Sequence, residues 1–144
     1  LLAITKNDLP LWLSMRQKIY PAQDKQFHSR EMNSILSRDD WFPYFVITEK
    51  HQPVGLVELS ERNIADGCLT SPVAYLEGLY LIKDYRGQGI GSKLVQTILG
   101  WCQQRGYQEL ATDTEKTNTD TQNFYQSLAF EKMEHIVQFR IQIE

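Results

Sequence analysis

In Arg86-Gly87-Gln88-Gly89-Ile90-Gly91, glycine alternates with larger residues between an apolar segment that ends at Leu81 and an amphipathic one that opens at Ile90. A helix that starts there presents backbone N–H groups without intrahelical partners. Those groups and the helix dipole favour an anion such as a pyrophosphate, and glycine lets the backbone approach it without an intervening Cβ. The spacing excludes two common nucleotide motifs. A dinucleotide fingerprint needs glycine where Ser92 stands, or where Leu94 stands if it is counted from Gly89. A P-loop needs Gly-Lys-Ser/Thr, whereas Lys93 lies between Ser92 and Leu94. The alternative is a tight turn at a helix start with no ligand.

Carboxylates form the second chemical signal. Glu77 interrupts the apolar run Val73 to Leu81, and a carboxylate buried there without a partner is costly. Gly78 beside it suggests a bulge or a close backbone approach. Asp113 follows the short strand expected over Glu109 to Thr112, near the carboxyl edge where ligands tend to bind in α/β sheets. Glu134 lies beyond the last expected helix. The simpler readings are a structural salt bridge for Glu77, a helix N-cap for Asp113 and a solvated charge for Glu134. Cys102 falls on the apolar side of its helix, as a core residue would. Cys68 and Cys102 form no CxxC pair and read as free thiols in a reducing compartment. His28, His51 and His135 lack metal-ligand spacing, so no metal is expected.

The elements that must position these groups follow from periodicity. Leu1 to Ile4 is a possible short strand. Asn7 or Asp8 can cap a helix carrying Leu9, Trp12, Leu13 and Ile19, ending before Pro21. A second helix is expected over Ser29 to Leu36, then a loop at Trp41-Phe42-Pro43. Tyr44 to Thr48 and Val54 to Leu59 read as a hairpin around Lys50 to Pro53, and Val73 to Leu81 as a buried central strand. Ile90, Leu94, Val95, Ile98, Leu99 and Cys102 recur at helical spacing, with Gly106 placed to end that helix. Thr119 to Ser127 is a further helix, and Phe130 to Ile143 one or two final strands. The order implies an α/β domain with a mixed sheet and a crossover from Val73 to Thr112.

The 144 residues suit one domain, and the 42% hydrophobic and 23% charged residues are ordinary for a globular protein. A net charge of −3 without a basic tract argues against nucleic acid and suits a cationic small molecule. No apolar run reaches the ~18–20 residues of a membrane span, and the short apolar start before Lys6 is no signal-peptide core. A cytoplasmic location is expected.

Arg86-x-x-Gly89-x-Gly91 after a buried strand resembles the acyl-coenzyme A signature of the GCN5-related N-acetyltransferases (GNAT). Asn118, Tyr125 and then Leu128-Ala129-Phe130 resemble the family's closing motif, with Ala129 where glycine is usual. The resemblance implies a single GNAT domain over residues 1–144, with a mostly antiparallel central sheet, a splayed parallel strand pair and flanking helices. It implies acetyl-CoA as co-substrate. Leu79, Tyr80 and Leu81 would pair with the pantetheine arm. Arg86, Gly87, Gln88, Gly89, Ile90, Gly91 and Ser92 would hold the pyrophosphate, and Asn118 would contact the coenzyme. Tyr125 would protonate the leaving thiolate, and the amine would attack the thioester directly.

Thr70 to Tyr80, Ser60-Glu61-Arg62, Gly67-Cys68, Ala111 to Thr114 with Asn118, and Trp12-Leu13 with Arg16 and Tyr20-Pro21 resemble the aminoglycoside 6'-N-acetyltransferase branch. That implies a polycationic acceptor contacted by Tyr20, Glu77, Asp113 and Glu134, with Glu77 or Asp113 helping to deprotonate the amine. Tyr20 stands where tryptophan is common in that branch, Gln23 where histidine is, and the loop from Asn63 to Asp66 is shorter. Other expectations are an acetyltransferase for another small amine such as a polyamine, an acyl-CoA-sensing module without turnover, or a structural domain with no ligand. Ile136 to Ile143 alternates enough to be an edge or exchanged strand, and a homodimer is expected.

Overall fold

The structure is a computed structural model that describes residues 1–133 and 137–143. The chain divides into two compact units, Leu1–Asp113 and Thr114–Glu144.

The first unit is built on a five-stranded sheet in sequential order: β1 (Leu2–Ala3), β2 (Trp41–Ile47), β3 (Pro53–Arg62), β4 (Val73–Leu81) and β5 (Leu110–Thr112). All neighbours are antiparallel except β4 and β5, which run parallel. The mixed sheet expected from the sequence is therefore present. Alternation along β2 sends Phe45 toward one face, where it joins a core with Trp12, Met15, Met32, Ile35 and Leu56. Tyr44 and Phe42 point to the other face and meet the Trp101 ring, at centroid separations of 6.4 and 5.2 Å.

The first face is covered by α1 (Leu9–Ile19) and α2 (Lys25–Leu36). Pro10 occupies the first turn of α1, where its missing N–H costs nothing. Asp8 does not cap α1 with its side chain; its carboxylate accepts from Thr5 N at 2.8 Å and closes the preceding turn. α2 begins at Lys25 rather than near Ser29 because Asp24 Oδ1 accepts from Phe27 N at 2.7 Å. On the second face lies α3 (Ile90–Gln104), whose Leu94, Val95, Ile98 and Cys102 are buried at the spacing read from the sequence. It ends in a Schellman arrangement: Gly106 takes φ +82°, Tyr107 N bonds Cys102 O at 3.0 Å, and Gly106 N bonds Gln103 O at 3.1 Å.

Two further expectations change. Trp41-Phe42-Pro43 is the start of β2 and not a loop, since Trp41 pairs with Ser60, Phe42 with Leu59 and Pro43 with Glu58. A ten-residue β3 supplies those partners, and Pro43 adjoins the two-residue β1, near the sheet edge where a missing N–H is tolerated. The final strand or strands expected over Phe130 to Ile143 are not formed among the described residues, 130–133 and 137–143. Val137, Phe139, Ile141 and Ile143 are exposed, so the alternating pattern has no partner strand to bury it. Glu134 and Ile136 lie outside the described residues.

The second unit holds α4 (Thr119–Ser127), the span expected from the sequence. Asn118 caps it, accepting from Thr121 N at 3.1 Å. The Tyr125 ring lies 5.5 Å from that of Phe124 and 5.1 Å from that of Phe130.

Candidate active site

The site residues of the first unit are organised by one irregularity in β4. Glu58 pairs with Gly78 and Leu59 with Leu76, so Glu77 is the extra residue of a bulge. Alternation from Val73 and Tyr75, which pair with Arg62 and Ser60, places the Glu77 side chain on the face of Tyr75, Ser60 and Arg62. There its carboxylate accepts from Ser60 Oγ at 2.5 Å, Arg62 Nε at 3.0 Å and Arg62 Nη2 at 2.7 Å. The partner that the sequence required for Glu77 is thus Arg62, in a two-pronged ion pair whose carboxylate side chain is 11% exposed. Gly78 is the close approach its sequence position suggested: a Cβ there would lie 2.9 Å from Tyr20 Oη.

Asp113 stands just past β5 and is exposed, and Tyr75 Oη donates to its Oδ2. Burial and this carboxylate push the Tyr75 phenol well above its ordinary pKa. The Arg62 guanidinium stacks on the Tyr75 ring, Cζ to centroid 3.4 Å. Glu77, Arg62, Tyr75 and Asp113 therefore form one continuous group.

Tyr20 sits at the end of α1, its ring half-buried and its hydroxyl donating to the Glu77 carbonyl at 2.7 Å. Burial pushes this phenol far up. Behind it lies a buried polar network absent from the candidate residues read in the sequence. Arg16 donates to Glu58 at 2.7 and 2.9 Å, Trp12 Nε1 to Glu58 at 2.8 Å, and Arg16 also pairs with Glu31 at 3.1 Å. His28 bridges Arg16 Nε at 3.4 Å and the Tyr20 carbonyl at 3.2 Å. Burial pushes the Glu58 carboxyl up, against the opposing pull of Arg16 and Trp12. The available signal was the one that marked Glu77: Glu58 is a lone carboxylate in an apolar strand.

β5 pairs with β4 only at Ala74, Tyr75 and Leu76. From Glu77 through Leu79 and Tyr80 to Leu81, the β5-side edge of β4 has no strand beside it among the described residues. That edge runs into the glycine turn. Arg86 Nε donates to Leu81 O at 2.8 Å and Gln88 Nε2 to Asp84 O at 2.7 Å, which fastens the turn to the strand end. Gly87 and Gly89 take φ +72° and +77°, conformations that side chains resist, and a Cβ on either would meet nothing. Gly89 caps α3 without a side-chain hydrogen bond, and the first i+4 bond is Lys93 N to Gly89 O at 3.2 Å. The N–H groups of Ile90, Gly91 and Ser92 thus open the helix. An open strand edge leading to an uncapped helix start can hold an extended amide chain followed by an anion.

Residues 9–130 match the acetyltransferase (GNAT) family. The chain belongs to that family. Among similar proteins is an aminoglycoside N(6')-acetyltransferase type 1 from Acinetobacter genomosp. 13, 31% identical over 141 residues, covering 97% of this chain and 96% of the relative. The crystal structure of an aminoglycoside 6'-N-acetyltransferase from Acinetobacter baumannii superposes with a TM-score of 0.86 at 30% identity, covering 99% of this chain and 97% of that one. The structure of AAC(6')-Iy in complex with the bisubstrate analogue CoA-S-monomethyl-acetylneamine gives a TM-score of 0.86 at 27% identity, over 98% of this chain and 96% of its own. Among the described residues no helix is long and apolar enough to cross a membrane, and no group of three or more His, Cys, Asp and Glu side chains is placed to hold a metal ion.

Proposed function

We propose that this GNAT chain, as one domain over residues 1–144, transfers the acetyl group of acetyl-CoA to the 6'-amine of an aminoglycoside in a ternary complex. The observation that carries the coenzyme half is the open β4 edge at Leu79, Tyr80 and Leu81, leading into the positive-φ glycine turn and the uncapped start of α3. The pantetheine amides add to that edge. Arg86, Gly87, Gln88, Gly89, Ile90, Gly91 and Ser92 surround the pyrophosphate, with backbone N–H groups as donors. The family match runs without interruption through residues 9–130, which supports reading the two compact units as one functional domain.

The acceptor half rests on the carboxylates and on the relatives. Glu77 and Asp113 supply negative charge for a polycationic amine, Tyr20 an aromatic surface, and Glu134 a further carboxylate carried over from the family resemblance. The amine nitrogen attacks the thioester carbon, a C–N bond forms and the C–S bond breaks. The proton lost by the amine goes to Glu77 or Asp113, directly or through water. The thiolate receives its proton from Tyr125, a role that rests on the Asn118-to-Tyr125 motif, as does the coenzyme contact of Asn118. The protein acts in the cytoplasm as a homodimer, for which the exposed alternation of Val137, Phe139, Ile141 and Ile143 is the support.

Thiol release from acetyl-CoA with kanamycin or tobramycin, beside spermidine and a blank without acceptor, tests the reaction. Aminoglycoside-dependent release with a product acetylated at the 6'-amine is expected. Release with spermidine alone would move the acceptor to a polyamine, and coenzyme binding without release would leave a sensing module. Light scattering at micromolar concentration should return twice the chain mass.

A further inference from the structure

Glu77 and Asp113 are joined by a cation to which the reaction above gives no task. Arg62 ends β3, holds the Glu77 carboxylate with Nε at 3.0 Å and Nη2 at 2.7 Å, and lies flat on the Tyr75 ring. Tyr75 in turn donates to Asp113. A guanidinium fixed by a fork on one side and a ring beneath it is not a mobile surface charge.

An acceptor faces opposing demands. Carboxylates attract its ammonium form, but only the neutral amine has the lone pair that attacks a thioester. An opposite charge within about 4–6 Å stabilises the charged form of a titrating group by 1–3 pKa units, so each unopposed carboxylate makes the amine harder to deprotonate. The other charges that face Glu77 are largely paired among themselves: Arg38 with Asp40 at 2.7 Å, and Arg16 with Glu58 at 2.7 Å. Glu31, the second partner of Arg16, is 37% exposed. The Tyr20 and Tyr75 phenols stay neutral, held protonated by burial. The sign and strength of the field around the carboxylates therefore fall to Glu77, Asp113 and Arg62.

We propose that Arg62 sets the charge of the acceptor cleft, holding Glu77 in one orientation and offsetting its charge so that a bound amine releases its proton within the working pH range. This rests on the reading that the acceptor amine binds at Glu77 and Asp113. Arg62 is a positioning residue in this scheme; it exchanges no proton and makes no bond to the acetyl group. Its presence disfavours acceptors that bind by charge alone and favours those with an amine placed against a fixed carboxylate.

The test is kcat for the aminoglycoside against pH, which reports ionisations in the bound complex, in the wild type, R62M, R62K, E77Q and D113N, with KM measured alongside and coenzyme A affinity as a check on folding. Activity rises with pH as the amine loses its proton, and the midpoint of that rise is the readout. R62M should move the midpoint to higher pH by roughly half to one unit. E77Q should move it to lower pH. R62K, which keeps the charge and loses the fork, should keep the wild-type midpoint while raising KM. An R62M profile of wild-type shape at reduced height would show that Arg62 only packs, and would overturn the proposal. A shifted midpoint in R62K would overturn it too, even if R62M did not fold. Unchanged acceptor KM and midpoint in both E77Q and D113N would instead remove the acceptor-site reading, and this proposal with it.

Discussion

The Tyr20 hydroxyl, at the end of the first helix, donates to the backbone carbonyl of Glu77, the extra residue of the β4 bulge, at 2.7 Å. The same hydroxyl lies 2.9 Å from where a Cβ on Gly78 would stand, while the next neighbours, Ile19 Cδ1 and Glu58 Oε1, are 3.4 and 3.7 Å away. Helix and bulge therefore come closest at the Tyr20 hydroxyl oxygen. Gly78→Ala should destabilise the fold by about 1–3 kcal/mol through overpacking. Tyr20→Phe should cost about 1 kcal/mol, the worth of one hydrogen bond. Because the phenylalanine removes the oxygen that the new methyl meets, the double variant should lose less than the sum of the two. Urea unfolding of the four proteins reads the coupling; strict additivity would show that the hydroxyl does not set the spacing.

Arg16 is 1% exposed and Glu58 fully buried, so the ion pair cannot be halved cheaply. Arg16→Met leaves a carboxylate inside the core without its cation, at a cost of about 3–5 kcal/mol. The Glu58 carboxyl, already pushed up by burial, then rises further because the opposing pull of Arg16 is gone. A carboxyl whose folded-state pKa exceeds its unfolded value makes the protein lose stability as pH rises from the ordinary carboxylate range through the raised value. The variant should therefore fall further behind the wild type at pH 8 than at pH 5. A gap independent of pH would mean that Glu58 is neutral in the wild type as well.

The parts of the site legible in the sequence were those fixed by local backbone chemistry. Gly87 and Gly89 marked a turn that needs positive φ, the apolar spacing from Ile90 to Cys102 marked the buried side of its helix, and Gly106 marked that helix's end. Glu77 announced that it needed a partner, but the identity of that partner depended on the pairing of β3 with β4. The pairing of Arg62 with Val73 and Ser60 with Tyr75 puts Arg62 on the face of Glu77, and no short-range pattern encodes which β3 residues lie opposite β4. Trp41 to Pro43 was misread for the converse reason, since a ten-residue β3 alongside overrode the local bias of proline. The alternation from Val137 to Ile143 is a strand pattern that needs another strand beside it, and pairing is a property of the assembled sheet rather than of the segment.

Glu109 folds the loop ahead of β4 into place with one oxygen. Its Oε1 accepts from Leu69 N at 2.8 Å, Thr70 N at 2.7 Å and Thr70 Oγ1 at 2.5 Å. Those donors favour the ionised form and hold its pKa below the ordinary value. The sign follows: a depressed carboxyl stabilises the fold above its ordinary pKa and stops doing so as pH falls through the lowered one. The amide protons of Leu69 and Thr70 should shift together in an NMR titration, with a midpoint below that of a free glutamate. Glu109→Gln should abolish that step. A midpoint at the ordinary value would mean that the loop is not anchored by this carboxylate.

Ala129 carries φ +67° just after α4, in the position where a helix most often ends on glycine. The end is a Schellman arrangement, with Phe130 N bonded to Tyr125 O at 3.2 Å and Ala129 N to Gln126 O at 3.3 Å. Both bonds require the left-handed residue, so the alanine is held there against the crowding between its Cβ and the backbone, a strain of about 1–2 kcal/mol. Glycine removes the strain but gains freedom in the unfolded chain, which returns part of the benefit. Ala129→Gly should therefore raise stability by up to about 1 kcal/mol, or a few degrees in Tm for a chain of this size. The Asn118 cap is untouched by the change, so an Asn118→Ala variant should lose its ~1 kcal/mol in either background. Thermal unfolding of the single and double variants checks both statements. An Ala129→Gly variant no more stable than the wild type would mean that strain at this helix end has already been relaxed, and that glycine's usual place there follows from something other than φ.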